Sequence, residues 1–284
     1  MRILVLGAAG MAGHVVSLYL RENGFSVDTL SAHNALDDKT HIIDVLDLDR
    51  LKIVLGSNKY DVVVNCIGLL VKQSEERKDL ATYLNSFLPH FLEQYFSKSN
   101  TKVIHLSTDG VFASHNLPNN EHAYCDTNSF YGRSKALGEI INDKDLTFRM
   151  SIVGPDIHYD GTGLFSWFYG QSGEITGFTG TMWNGITTLE LVKGIKAAIE
   201  QNLTGIYHLV PKNSISKFDL LQLFAEIFDR NDITIKPAEG VAMNATLINT
   251  RKDFNYQIPD YKTMVYDMKV WMENHPKLYA HYEK

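Results

Sequence analysis

The first half of the chain alternates short, dense apolar runs with amphipathic stretches. The run RILVL, closed by Gly7, predicts a strand buried on both faces. Residues 11–22 carry helical spacing and stop at Asn23-Gly24. Strands are predicted over 25–30, 41–45, 60–67 (YDVVVNCI), 102–107 (KVIHLS) and 146–152, with helices over 48–55, 75–97 and 131–141. The 75–97 helix should bend or break near Pro89, which offers no N–H to the preceding turn. A polar loop is expected over 114–129. Strands alternating with helices imply a parallel sheet covered on both faces, with ligands at the carboxyl ends of its strands.

After about residue 151 the pattern changes. Glycine-rich and aromatic loops over 161–183 precede a helix at 189–201, a strand at 205–210 (GIYHLV) and an amphipathic helix at 217–228. This predicts an α/β fold of the Rossmann type, a doubly wound parallel sheet with a smaller C-terminal substrate-binding lid. Residues 1–152 would form the nucleotide-binding domain, with 187–212 returning to it. Residues 153–186 and 213–284 would form the substrate-binding region.

Composition narrows the function classes. The 284 residues hold 27 basic and 33 acidic side chains, a net charge of −6, which disfavours a nucleic-acid binder. Cys66 and Cys125 are the only cysteines, so neither a disulfide framework nor a thiolate zinc site is expected. The eleven histidines show no HxH or HExxH spacing, and no metal is expected. The apolar run at 62–71 contains Asn65 and is too short for a bilayer, and the N-terminus lacks a secretory pattern. The expectation is a cytoplasmic protein without membrane or nucleic-acid partners; a homodimer fits these observations.

Gly7-Ala8-Ala9-Gly10-Met11-Ala12-Gly13 is a GxxGxxG turn between the first strand and helix. Gly7 permits the tight turn, Gly10 lets the backbone approach a pyrophosphate, and Gly13 allows close helix–strand packing. The helix N-terminus then faces the anion. Gly7, Gly10, Met11 and Gly13 are the expected dinucleotide contacts. The tip of the second strand, Ser31-Ala32-His33, carries no carboxylate to hold a ribose 2′-hydroxyl. This favours NADP(H) over NAD(H), with Ser31 and His33 near the 2′-phosphate.

Tyr131 and Lys135 form a YxxxK pair on one helical face. An ammonium near a phenol, whose reference pKa is about 10, draws that value down and suits it to proton transfer. Ser107-Thr108-Asp109 follows the strand KVIHL and sets a hydroxyl at a strand's carboxyl end.

The set GAAGMAG, VNCIG, LSTDGVF and YGRSKALGE resembles the extended short-chain dehydrogenases/reductases, in particular dTDP-4-dehydrorhamnose reductase and related reductases of 4-keto nucleotide sugars. The resemblance is strong over the first 150 residues and looser beyond. It implies Tyr131 as proton donor, Lys135 as its partner and ribose contact, and Thr108 as the hydroxyl on the substrate oxygen, with Ser107 its neighbour along the cofactor. It implies that Asn65, Cys66 and Ile67 line the cofactor, that Asp44 and Val45 lie near the adenine, and that Asp109 and Arg149 border the substrate. One departure stands out: the family's STDYVF reads STDGVF here, and Gly110 opens space beside the catalytic strand end. Trp183, in a loop over the cleft, and Arg251, for the diphosphate, are the candidate substrate contacts from the lid.

The reaction implied is NADP(H)-dependent reduction of the C4 ketone of a dTDP- or UDP-linked 4-keto-6-deoxy sugar, in deoxysugar and surface-polysaccharide synthesis. The alternatives are a nucleotide-sugar 4-epimerase or dehydratase with the same apparatus, and a non-catalytic NADP-binding regulatory subunit.

Overall fold

The computed structural model describes all residues except 114–118, 241, 242, 245, 283 and 284. The first part of the polar loop expected over 114–129 therefore lies outside the described residues.

Seven strands form one parallel sheet. In spatial order they are Gly205–His208, Leu146–Arg149, Lys102–Leu106, Val62–Asn65, Arg2–Leu6, Ser26–Ser31 and Thr40–Ile42. Both faces of the strands are apolar, as the dense runs require. On Arg2–Leu6, Ile3 and Val5 join the core layer beneath the helices Met11–Glu22 and Thr188–Glu200. Leu4 and Leu6 join the opposite layer, with Leu51, Leu55, Leu88 and Leu92. The chain order reverses between Arg2–Leu6 and Val62–Asn65, and this opens a crevice beyond their carboxyl ends. The architecture is the Rossmann-type doubly wound sheet. No helix among the described residues is long and apolar enough to cross a membrane.

Several boundaries differ from the sequence expectation. The third strand is only Thr40–Ile42. The strand expected over 146–152 stops at Arg149, and Ile152–Val153 pairs instead with Ile186–Thr187. The catalytic helix runs Phe130–Leu137 and stops at Gly138. The helix expected to break at Pro89 carries a π turn over Thr82–Phe87, followed by Leu88–Tyr95 with Pro89 in its first turn. Pro89 has no N–H for the Asn85 carbonyl, and widening the preceding turn relieves that mismatch without ending the helix.

The strand Gly205–His208 lies beside Leu146–Arg149 at the sheet edge. The remaining C-terminal segments pack together around Phe165, Phe168 and Phe224. They reach the first helix through His14, whose ring nitrogens sit 2.9 Å from the Gly10 carbonyl and 2.7 Å from the Tyr279 hydroxyl. Burial holds the His14 pKa down to about 4, so its ring is neutral.

Gly13 marks the closest approach of helix to strand. A Cβ there would stand 2.0 Å from the Gly7 carbonyl oxygen, which is backbone and cannot yield. Gly13→Ala should destabilise the protein at the upper end of the about 1–3 kcal/mol typical of overpacking, read as a lower urea midpoint at unchanged slope.

Candidate active site

The crevice has two halves joined at Gly10, Cys66, Ile67 and Gly68. The first half, about 420 Å³, is bounded by the glycine turn, the tip of the second strand and the segment after the third. Gly7 takes φ +78° there, and the first helix begins at Gly10 without a side-chain cap or an acid in its first turn. Its first N–H groups are left for an anion. Ser31, His33, Asp44 and Val45 border this half, while Met11 borders the second. Ser31 is buried and its hydroxyl donates to the Asn34 carbonyl, whereas His33 is exposed. Asp28, inside the second strand, points away from the tip and accepts from Arg2 and Tyr60. The tip residues Ser31, Ala32 and His33 thus carry no carboxylate, and the acid bordering this half of the crevice is Asp44, from the segment after the third strand.

The second half, about 480 Å³, contains the three groups expected to do chemistry. Thr108, Tyr131 and Lys135 all border it, with Ser107. Thr108 stands two residues beyond the strand Lys102–Leu106, accepts from the Gly110 N–H at 3.0 Å and donates to Asp109 at 3.1 Å. Ser129 caps the catalytic helix by accepting from the Gly132 N–H at 3.0 Å, and Glu75 accepts from the Phe130 N–H at 2.7 Å. Gly132 lets this helix meet the Thr108 turn, because a Cβ would stand 2.1 Å from the Gly110 carbonyl oxygen. The helix rests on the π turn: Asn85 Nδ2 donates to Ser134 Oγ at 3.0 Å and Ser86 Oγ to the Ser134 carbonyl at 2.7 Å. These contacts set where Tyr131 and Lys135 project.

The electrostatics depart from the expected pairing. Burial pushes the Tyr131 phenol up, Asp109 adds to the rise, and hydrogen bonding with Thr108 opposes it; Lys135 does not enter. Lys135 is instead turned inward. Its Nζ donates to the Leu106 carbonyl at 2.6 Å and lies 3.3 Å from His105 Nε2, and burial lowers its pKa to about 8. Tyr131 is therefore a neutral phenol, the form needed to give a proton. Burial also pushes the Cys66 thiol up to about 12, which makes it an inert wall.

Four expected contacts are elsewhere. Asn65 is fully buried behind the cleft wall, holding the Ile67 N–H at 3.1 Å and facing His105 at 3.2 Å. Arg149 does not reach the substrate side. Its guanidinium forms a buried fork with Glu139, both bonds 2.7 Å, and lies over the Phe112 ring. Trp183 is not in a loop over the cleft but in the strand Thr181–Trp183; it is buried, and its indole donates to Ser151 Oγ at 2.8 Å. Arg251 sits at the other end of the sheet edge. It pairs with Asp253 and donates to the carbonyls of Thr204 and Ile206, at the amino end of the last strand. For Arg149, Trp183 and Arg251 a carboxylate, carbonyl or hydroxyl claims the polar head; for Asn65 the Ile67 N–H and the His105 ring do.

Sequence reasoning missed Glu139, Lys217 and Asn85. Glu139 accepts from Ser107 Oγ at 2.7 Å and so braces the residue beside Thr108. Lys217 begins the helix Lys217–Ile227, stands 4.8 Å over the Trp183 ring and acts electrostatically on Asp109. Burial lowers its pKa to about 8 and raises that of Asp109. The signal for Glu139 was its place four residues after Lys135, one turn along; the other two had none.

Residues 1–252 match the family model described as RmlD substrate binding domain. Among curated proteins, a probable low-salt glycan biosynthesis reductase of Haloferax volcanii is 32% identical over 172 residues, 54% of each chain. A dTDP-4-dehydrorhamnose reductase of Mycolicibacterium smegmatis is 28% identical over 49% of this chain and 40% of its own. The chain thus spans about half the length, or less, of these relatives. The fold also matches the crystal structure of dTDP-4-dehydrorhamnose reductase from Bacillus anthracis in complex with NADP, at TM-score 0.80 and 19% identity, covering 95% of this chain and 99% of that one.

Replacing Arg149 with Met leaves Glu139 charged and buried, at a cost of about 3–5 kcal/mol. Chemical denaturation should show that loss, together with weaker protection of the Ser107 amide from hydrogen exchange.

Proposed function

The chain belongs to the family described as RmlD substrate binding domain, and on that premise we propose that it is an NADP(H)-dependent reductase of the short-chain type, acting on the C4 ketone of a dTDP- or UDP-linked 4-keto-6-deoxy sugar. The observation that carries this reading is the meeting of Thr108, Tyr131 and Lys135 in a cleft continuous with the glycine turn. The open helix N-terminus and the acid-free second strand tip fit a dinucleotide with a 2′-phosphate near His33. The relatives' names add a reductase and dTDP-sugars to the same reading.

When bound, NADPH supplies the hydride that reaches the ketone carbon. Tyr131 gives its phenolic proton to the ketone oxygen, forming the alcohol. Thr108 turns its hydroxyl from Asp109 to that oxygen and orients the carbonyl. Lys135 takes the ribose hydroxyls at the back of the cleft, beside Cys66 and Ile67. Asp109 and Lys217 form the sugar side; Gly110 does not open the space expected of it, because a Cβ there would stand 3.3 Å from Tyr131 Cε1 and 3.4 Å from Thr108 Oγ1. The segment 153–186 supplies the wall over the substrate, where Asp156, Thr162 and Gly163 border the cleft. Arg149, Trp183 and Arg251 have no role in this proposal. The product serves surface-polysaccharide synthesis, and the enzyme works in the cytoplasm.

The protein should oxidise NADPH stoichiometrically with a 4-keto-6-deoxy nucleotide sugar; turnover of the sugar without net NADPH loss would point to an epimerase. Tyr131→Phe should lower kcat by about 10²–10⁴-fold while NADPH still quenches the protein's fluorescence. Full turnover in that variant would remove Tyr131 from the mechanism.

We infer a homodimer as well. Phe87 and Tyr95 on the long helix, Leu137 at the end of the catalytic helix and Ile141 beyond it are exposed, an apolar face that a second copy would cover. Sedimentation should give twice the chain mass, and Phe87→Glu should return it to the monomer.

A further inference from the structure

Lys135 is held by a ring that the proposed chemistry does not use. His105 lies on the strand Lys102–Leu106, fully buried, and burial drives its pKa well below the ordinary value, so the imidazole is neutral and carries a single N–H. Three distances decide where that proton is. Asn65 Oδ1 accepts from the Ile67 N–H at 3.1 Å. The amide is thereby oriented, and its Nδ2, which can only donate, faces His105 Nδ1 at 3.2 Å. Nδ1 must then be the acceptor, and the ring proton sits on Nε2. Nε2 in turn faces Lys135 Nζ at 3.3 Å. Two N–H donors cannot bond to each other, whereas a neutral amine offers a lone pair to Nε2–H and still donates to the Leu106 carbonyl at 2.6 Å.

We propose that His105 is a positioning residue that biases the charge state of Lys135: in the empty cleft its Nε2–H donates to the neutral-amine form and favours it over the ammonium. The function of this arrangement rests on the proposed reading of Lys135 as the group that takes the ribose hydroxyls. Charging the lysine requires Nε2 to become an acceptor. The ring proton would then move to Nδ1, where it meets Asn65 Nδ2. The amide must flip to receive it, and the flip releases the Ile67 N–H. Ile67 borders both halves of the cleft. Occupation of the cleft and the charge on Lys135 are thus linked through one amide. The other ionisable groups acting here are Glu139 and Cys66 on Lys135, and His90 on His105. Glu139 and Cys66 favour the ammonium, and burial outweighs both.

The test reads protonation directly and does not depend on turnover. In ligand-free protein with ¹³Cε-labelled lysine, the Lys135 resonance is identified by its loss in Lys135→Arg. Its midpoint should lie near 8. His105→Leu removes a donor to the amine and should raise that midpoint by about one unit, a tenfold change in the ratio of the two forms. Asn65→Asp offers an acceptor to Nδ1–H, reverses the ring and should raise it too. In wild type above that midpoint, ¹⁵N shifts should mark Nε2 as protonated and Nδ1 as bare. A midpoint that falls or stays put in His105→Leu, or a ring still protonated on Nδ1 well above the lysine midpoint, overturns the proposal. If the Leu variant does not fold, Asn65→Asp and the wild-type ring spectrum decide it. Should these results hold while keto-sugars leave NADPH untouched, the reductase reading fails and the lysine–histidine link stands.

Discussion

The buried fork between Glu139 and Arg149 fixes more of this site than any group facing the cleft. Its charges lie where water does not reach, 3% and 4% exposed on their side chains, so each is tolerable only in the other's presence. Arg149 closes the strand Leu146–Arg149, and Glu139 follows the catalytic helix. The pair therefore sets the distance between the sheet and the helix that carries Tyr131 and Lys135. Glu139 then reaches Ser107, while Arg149 reaches the Glu121 carbonyl and His208. Glu121 accepts from Thr250 at both its N–H and its hydroxyl. Strand end, helix end and two C-terminal crossings meet at one ion pair.

Around that anchor burial moves each of the site's titratable groups toward its uncharged form. It raises Tyr131 and Asp109 and lowers Lys135 and Lys217. Each shift disfavours charge in a poorly screened region. A neutral phenol is the competent proton donor for reduction, and its loss of that proton is where charge first appears. The π turn contributes in a different way. By widening the helix at Thr82–Phe87 it brings Asn85 to the loop after Val62–Asn65 and to the catalytic helix at once, donating to the Leu69 carbonyl and to Ser134.

The parts of the fold legible in the sequence were those written in local spacing. Runs such as RILVL and KVIHL imply strands buried on both faces, and the glycine turn and the Tyr131–Lys135 spacing locate both halves of the cleft. Cationic and aromatic side chains were harder to place. Arg149, Arg251 and Trp183 are side chains suited to a nucleotide sugar, but their direction is decided by partners distant or incidental in sequence: Glu139 ten residues before Arg149, Asp253 two after Arg251, Ser151 thirty-two before Trp183. Periodicity reports which face is buried and says nothing about which neighbour a buried head will find. The π turn was invisible for a related reason: a proline shows that a helix is disturbed, but the mode of relief depends on what packs against it.

The open edge of the sheet illustrates what such a diverted side chain can do. Gly205–His208 is the outermost strand, and its outward carbonyls at Thr204 and Ile206 are taken by the Arg251 guanidinium, itself steadied by Asp253. An unpaired strand flank is a template on which a stray chain can continue the hydrogen-bond ladder. With two rungs already filled by a planar cation, a newly made copy passing nearby finds no place to add a strand. Arg251 thus bears on whether the protein survives crowded synthesis without clumping.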